Sequence, residues 1–286
     1  MKALKKSRPL SFVAITLVYI IATLVGVFTY LALPFAFWLN LLIADVAATL
    51  VTFIFSLIFG NASVYDPYWS VQPPVILAAF AIGGGINPLG ILLLVAVGLW
   101  GVRLTANWAY TFHGLEHQDW RYTMLKEKTG IFYPLINLLG IHMVPTLVVY
   151  GCILPAVFAM VYDAKVTIPS VIFVTVSVLA TLMQGTADCQ MHSFRKSKVG
   201  GFIRVGLWKY SRHPNYLGEI LMWWGVGLAC FCAMPDRWYL LAGAVANTLL
   251  FAFVSIPMAD KRQSRKQGFA DYKKQTRALL PIKRIR

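Results

Sequence analysis

Apolar runs broken by short basic and aromatic segments repeat along the whole chain. Runs near 11–33, 36–60, 88–111, 132–161, 167–187, 216–234 and 238–258 each come close to or exceed the ~20 residues that carry a helix across a bilayer. A shorter run, 71–83, ends in Gly83-Gly84-Gly85 and reads as a half-span or one arm of a broken helix. The pattern predicts an all-α, polytopic integral membrane protein with seven to eight transmembrane helices. Lys2, Lys5, Lys6 and Arg8 ahead of the first run resemble the start of a secretory leader. That run is too long for a leader and further spans follow, so it reads as an uncleaved first span.

Composition agrees. The chain is 58% hydrophobic and 13% charged, with a mean hydropathy of +0.66, too apolar to stay dispersed in water. No repeat or low-complexity linker divides it. One membrane domain over 1–286 is expected, with N-terminal spans (1–60), a helical core (61–259) and a basic amphipathic tail (260–286). The four cysteines, Cys152, Cys189, Cys230 and Cys232, lie in or at the end of apolar runs and read as unbridged core residues.

Charge adds orientation. With eight spans and the N-terminus inside, 24 of the 26 Lys and Arg residues fall on one face, and only Lys165 and Arg237 on the other. The positive-inside rule then puts both termini in the cytoplasm, in a bacterial cytoplasmic membrane or the endoplasmic reticulum. The net charge of +15 is spent on anionic lipid headgroups rather than nucleic acid, with a remainder for a polyanionic cofactor. Nothing in the pattern calls for more than a monomer.

Most acidic residues share that face: Asp66, Glu116, Asp119, Glu127, Asp188, Glu219, Asp260 and Asp271. Asn61, Tyr65, Tyr68, Trp69, Asn107, Trp108, Trp120, Tyr122, Trp208, Tyr210, His213, Asn215 and Tyr216 cluster there too. Aromatics at headgroup depth form belts, but the polar groups between them indicate a pocket. Asp45 stands apart inside the second span, where an acid is either functional or bonded across a helix interface.

The segment 204–224 is the most informative, a basic aromatic loop running into a helix at Pro214. Arg212 and His213 at the helix start offer charge and donors to an anion. Asn215 and Glu219 share one face, four residues apart.

Tyr210–Glu219 resembles the C-terminal signature of the steroid 5-alpha-reductase family. Asn61–Ser70, Arg103 to Tyr122, and Gln184-Gly-Thr-Ala-Asp188 continuing to Arg195 resemble other segments of the same family. Together they cover roughly residue 60 to the C-terminus. The resemblance implies an NADPH-dependent reductase of the C=C bond of a hydrophobic enone, such as a Δ4-3-oxo steroid, arriving from lipid. It implies an NADPH site lined by Asn107, Gln184, Asp188, Arg195, Tyr210, Arg212, His213, Asn215 and Glu219. It implies catalysis by Asp66 with Tyr65 and Tyr68 at the substrate carbonyl. The chain departs from the family pattern at Trp100, where the family carries a Tyr. No Gly-rich fingerprint follows a strand, so a Rossmann site is not expected.

Three other readings compete. An S-adenosylmethionine-dependent membrane methyltransferase of the isoprenylcysteine or phospholipid type shares the Arg-His-Pro-x-Tyr segment, but this tail has one acid, Asp260, where a pair is usual. A zinc site on His113, Glu116 and His117 matches H-x-x-E-H, with Gly114 unfavourable to the helix it needs. A lipid transporter would place polar groups at mid-membrane, which only Asp45 does.

Overall fold

The computed structural model describes residues 2–281. Of these, 82% are helical and none forms a strand, as the apolar pattern predicts. Seven helices are long and apolar enough to cross a membrane. They are α1 (Arg8–Ala32), α2 (Phe37–Phe59), α4 (Pro88–Thr111), α5 (Trp120–Val161), α6 (Ile168–Lys196), α7 (Pro214–Ala233) and α8 (Pro235–Gln263). Between α2 and α4 lies the shorter α3 (Tyr68–Phe80), continued by a wider turn over Ala81–Gly85 in which Gly84 takes φ 98°. A last helix, α9 (Phe269–Gln275), follows the left-handed Gly268. The tail residues Lys283, Arg284 and Arg286 lie outside the described part.

Several helices outrun their expected bounds, α5 and α6 by the most. α6 is expected to stop at 187 and runs on to Lys196, so Asp188 and Arg195 ride on its last turns. Thr167 and Ser170 cap its start reciprocally, and Arg195 and Lys196 suit the negative end of the dipole. α5 begins at Trp120 because the Asp119 carboxylate accepts the Arg121 N–H at 2.8 Å.

The chain forms two compact units, 1–76 with 104–150, and 77–103 with 151–286. In the first, α1 packs on α2 and the linker is fixed by Asn40, which donates to the Leu33 carbonyl and accepts from the Phe35 N–H. Ala14, Ile15, Val18, Phe59, Val64, Phe112 and Leu115 form its core. In the second, α6 and α7 lie close because two glycines one heptad apart permit it. A Cβ on Gly218 would meet Gln184 Cγ at 2.5 Å, and one on Gly225 would meet Ser177 Oγ at 2.2 Å. Asn87 holds the start of α4, donating to the Ala159 carbonyl and accepting from the Gly90 N–H.

All four cysteines are free, as expected; Cys152 and Cys230 are buried, whereas Cys189 is exposed on α6.

Candidate functional site

The polar residues gather into three sets, one in the first unit and two in the second. In the first, Asn61 pins the loop that precedes α3. It donates to the Leu115 and His117 carbonyls and accepts from the Ser63 N–H, while Ser63 Oγ accepts from the Asp119 N–H. The stretches 61–70 and 115–122, far apart in sequence, are thereby stitched together. The product is a hydrogen bond from Tyr122 Oη to Asp66 at 2.6 Å. Burial pushes the Asp66 carboxyl up to about 6, against the opposing pull of Arg121 and of the Tyr122 bond. Tyr65 is 1% exposed, shares a bond of 2.8 Å with Thr146 Oγ1, and burial holds its phenol above the usual range. Tyr68 packs edge-on against Tyr19 and beside Tyr65. The sequence sets Tyr122 on the same face as Asp66 but gives no sign that the two are partners. Nothing in a linear pattern pairs residues 56 apart.

The second unit holds the other sets. Arg103 near the end of α4 reaches Asp188 at 2.7 Å and also bonds Gln184 Oε1. Asn215 on α7 donates to the other Asp188 oxygen at 3.4 Å. Gln184 Nε2 and Arg103 Nε are buried with no partner, so the set keeps unspent donors. Trp100, one turn before Arg103, donates to Glu219 at 2.8 Å, and Trp223 donates to the other Glu219 oxygen at 2.9 Å. Arg103 and Trp100 complete this set; in the sequence Arg103 is a lone cation late in an apolar run that opens one of the segments carrying the family resemblance.

Arg212 and His213 are placed differently from the expectation that they face a phosphate. Asp260 on α8 takes both, Arg212 at 2.9 Å and His213 at 3.0 Å, all three side chains under a tenth exposed. Arg212 also bonds the Thr276 carbonyl, and the Arg212 and His213 N–H groups bond the Arg277 and Ala278 carbonyls at 3.0 Å each. Tyr272 donates to the Trp208 carbonyl, its phenol pushed up to about 12 by burial so that it remains a donor. The Arg-His pair therefore straps the tail to the loop before α7. A short-range sequence motif cannot show that its charge is already neutralised by a residue 48 positions away.

Of the remaining residues, Arg195 is exposed on the last turn of α6, and Tyr210 is half-exposed with Lys209 over its ring at 5.8 Å. Asn107 belongs to the first unit, its carbonyl accepting from Thr111.

Residues 52–276 match a family described as a protein of unknown function, DUF1295. No curated protein and no solved structure matches the chain.

Proposed function

This chain belongs to the DUF1295 family, a membrane family similar to the steroid 5-alpha-reductases, and from that premise we propose that it is an NADPH-dependent reductase of the C=C bond of a hydrophobic enone. The observation that carries the proposal is the set Arg103, Gln184, Asp188 and Asn215, an oxygen-seeking group with two buried, unspent donors inside an apolar helical unit. Such donors cost about 1–3 kcal/mol each if they stay unpaired, so they fit a ligand rich in hydroxyl and phosphate oxygens. Gln184, Arg103 and Asn215 would donate to it, and Asp188 would accept from ribose hydroxyls. Arg195, exposed at the end of α6, would supply the positive charge for a phosphate that Arg212, committed to Asp260, does not.

NADPH supplies the hydride that adds to the β-carbon. The chain's own part is to stabilise the negative charge that then develops on the carbonyl oxygen. Asp66 is suited to that work. Its carboxyl, held near 6 by burial, carries a proton in a usable fraction of molecules close to neutral pH. Tyr122 orients it through the 2.6 Å bond. A flat steroid-like substrate would arrive from lipid, and the monomer would suffice. Both termini would lie in the cytoplasm, which requires α3 to count as an eighth crossing.

On the methyltransferase reading Asp260, the lone tail acid, would face S-adenosylmethionine; its bonds to Arg212 and His213 count against that role. The deciding experiment is a titration of detergent-purified protein with NADPH, NADH and S-adenosylmethionine, with Arg103→Ala and Asn215→Ala in parallel. Saturable NADPH binding weakened in both variants supports the reductase, and turnover of Δ4-3-oxo steroids is then tested. Binding of S-adenosylmethionine alone overturns it.

A further inference from the structure

Reduction of an enone consumes a proton as well as a hydride, and the first unit contains a hydrogen-bonded path that can deliver one. α2 carries Asp45, Thr49, Thr52 and Ser56 along one face, at spacings of four, three and four, all at most 4% exposed. Thr49 Oγ1 bonds Thr146 Oγ1 at 3.0 Å, and Thr146 Oγ1 bonds Tyr65 Oη at 2.8 Å. In both bonds either oxygen can be the donor, the property a reversible proton path requires. One helical turn beyond Thr49, about 6 Å along the axis, both oxygens of Asp45 are buried without a partner.

The groups facing Asp45 are polar and uncharged. Gln72 is the amide that faces it and interacts with its carboxyl, although no atom pair between them reaches hydrogen-bonding geometry. Tyr65, Tyr68 and Tyr150 approach it from the loop before α3, from α3 itself and from α5, and Tyr68 lies beside Thr49. No cation is among these neighbours. An unpaired carboxylate at this depth costs far more than a neutral acid, so the site favours Asp45 carrying its proton.

We propose that Asp45 is an intramembrane proton store and that Thr49, Thr146 and Tyr65 relay its proton toward the loop that carries Asp66. The destination rests on the reductase reading above; the relay does not. In the reduction, the C=C π bond breaks as hydride adds at the β-carbon, and its electron pair moves into an enolate whose oxygen is held by Asp66. When the carbonyl re-forms, the pair returns to the α-carbon and takes the proton of the Tyr65 hydroxyl. Tyr65 recovers a proton from Thr146, Thr146 from Thr49, and Thr49 from the Asp45 carboxylic acid by way of the Tyr68 hydroxyl, which faces both. Between turnovers hydronium from water returns a proton to Asp45 back along the same hydroxyls, so each turnover consumes one proton from solution. The Tyr122 hydroxyl, by contrast, already donates to Asp66 itself.

Infrared spectroscopy tests the relay without any turnover. The carboxylic C=O stretch lost in Asp45→Asn identifies the stored proton, and its shift in D2O times exchange. Exchange is expected to slow in Thr146→Val, which removes the middle hydroxyl, and to recover in Thr146→Ser, which restores it. Equal exchange rates in all three, or no protonated-acid band lost in Asp45→Asn, overturn the proposal. If the protein turns over an enone with NADPH, Thr146→Val should lower kcat on the order of 10²-fold, the lower range of a positioned acid's contribution. The KM for NADPH should not change. Absence of turnover with normal exchange behaviour would sink the reductase reading and leave the relay standing.

Discussion

Trp100 donates its indole N–H to Glu219 at 2.8 Å, and the carboxylate is closed from the other side by Trp223. The two indole rings meet edge to face at 4.9 Å. Trp100 is thus tied to an acid 119 positions away on a different helix. With both oxygens taken by ring donors, Glu219 is placed to hold α4 and α7 in register around Arg103, Asp188 and Asn215.

Trp100→Phe keeps the ring and removes the donor, leaving a buried carboxylate oxygen unsatisfied. A loss of about 1–3 kcal/mol is expected, read as a lower thermal midpoint of the purified protein. Trp100→Phe combined with Glu219→Leu should lose less than the two single changes added together, because no orphaned charge remains.

Gly218 lets α7 approach α6 at Gln184. Gly218→Ala would press a methyl to within 2.5 Å of Gln184 Cγ and 2.8 Å of the Ala180 carbonyl. About 1–3 kcal/mol of overpacking strain is expected. NADPH affinity should fall with it, since Gln184 is displaced, and a titration of the folded variant checks this.

Asp260 pairs with Arg212 and bonds His213 in a setting with little water. Asp260→Asn leaves Arg212 uncompensated and should cost about 3–5 kcal/mol. It should also release residues 269–281, seen as faster proteolysis in the tail than elsewhere. Deleting the chain from Asp260 onward should weaken NADPH binding; unchanged affinity would separate the strap from the cofactor site.

The raised Asp66 carboxyl makes stability depend on pH in a stated direction. Its ordinary value is 3.8 and its folded value about 6, so the folded chain binds more proton between them. Its contribution is fully present below about 3.8 and is lost as pH rises through about 6. Asp66→Asn should flatten that part of the pH–stability curve, as thermal unfolding across pH 4 to 7 would reveal. If the wild type gains stability over the interval, the assignment to Asp66 is wrong.

Reporter fusions at each end of the chain test the proposed orientation. Both should report the cytoplasm if α3 with its glycine turn counts as a crossing. Opposite sides would mean that only the seven long helices cross.

How much of this was legible in the sequence follows from what each feature depends on. The all-α membrane fold and the positions of the long helices come from runs of apolar residues and their local breaks. In hydrocarbon every backbone polar group must be satisfied within its own helix. That leaves composition and length to determine the elements. The segments 61–70, 103–122, 184–195 and 210–219 stand out in the sequence by their resemblance to the steroid 5-alpha-reductase family. Their partners do not. Tyr122 with Asp66, Trp100 with Glu219, Arg103 with Asp188 and Asp260 with Arg212 join residues between 48 and 119 positions apart. Such pairings depend on which helices lie side by side and how each is rotated, and side-chain packing across the whole unit settles both. The same physics explains why Arg212 and His213 promised an open anion site in one dimension and formed a closed ion pair in three. It also explains Asp45. The sequence placed an acid in a span, and only the tertiary arrangement put the hydroxyls of Thr49, Thr146 and Tyr65 in line one turn away.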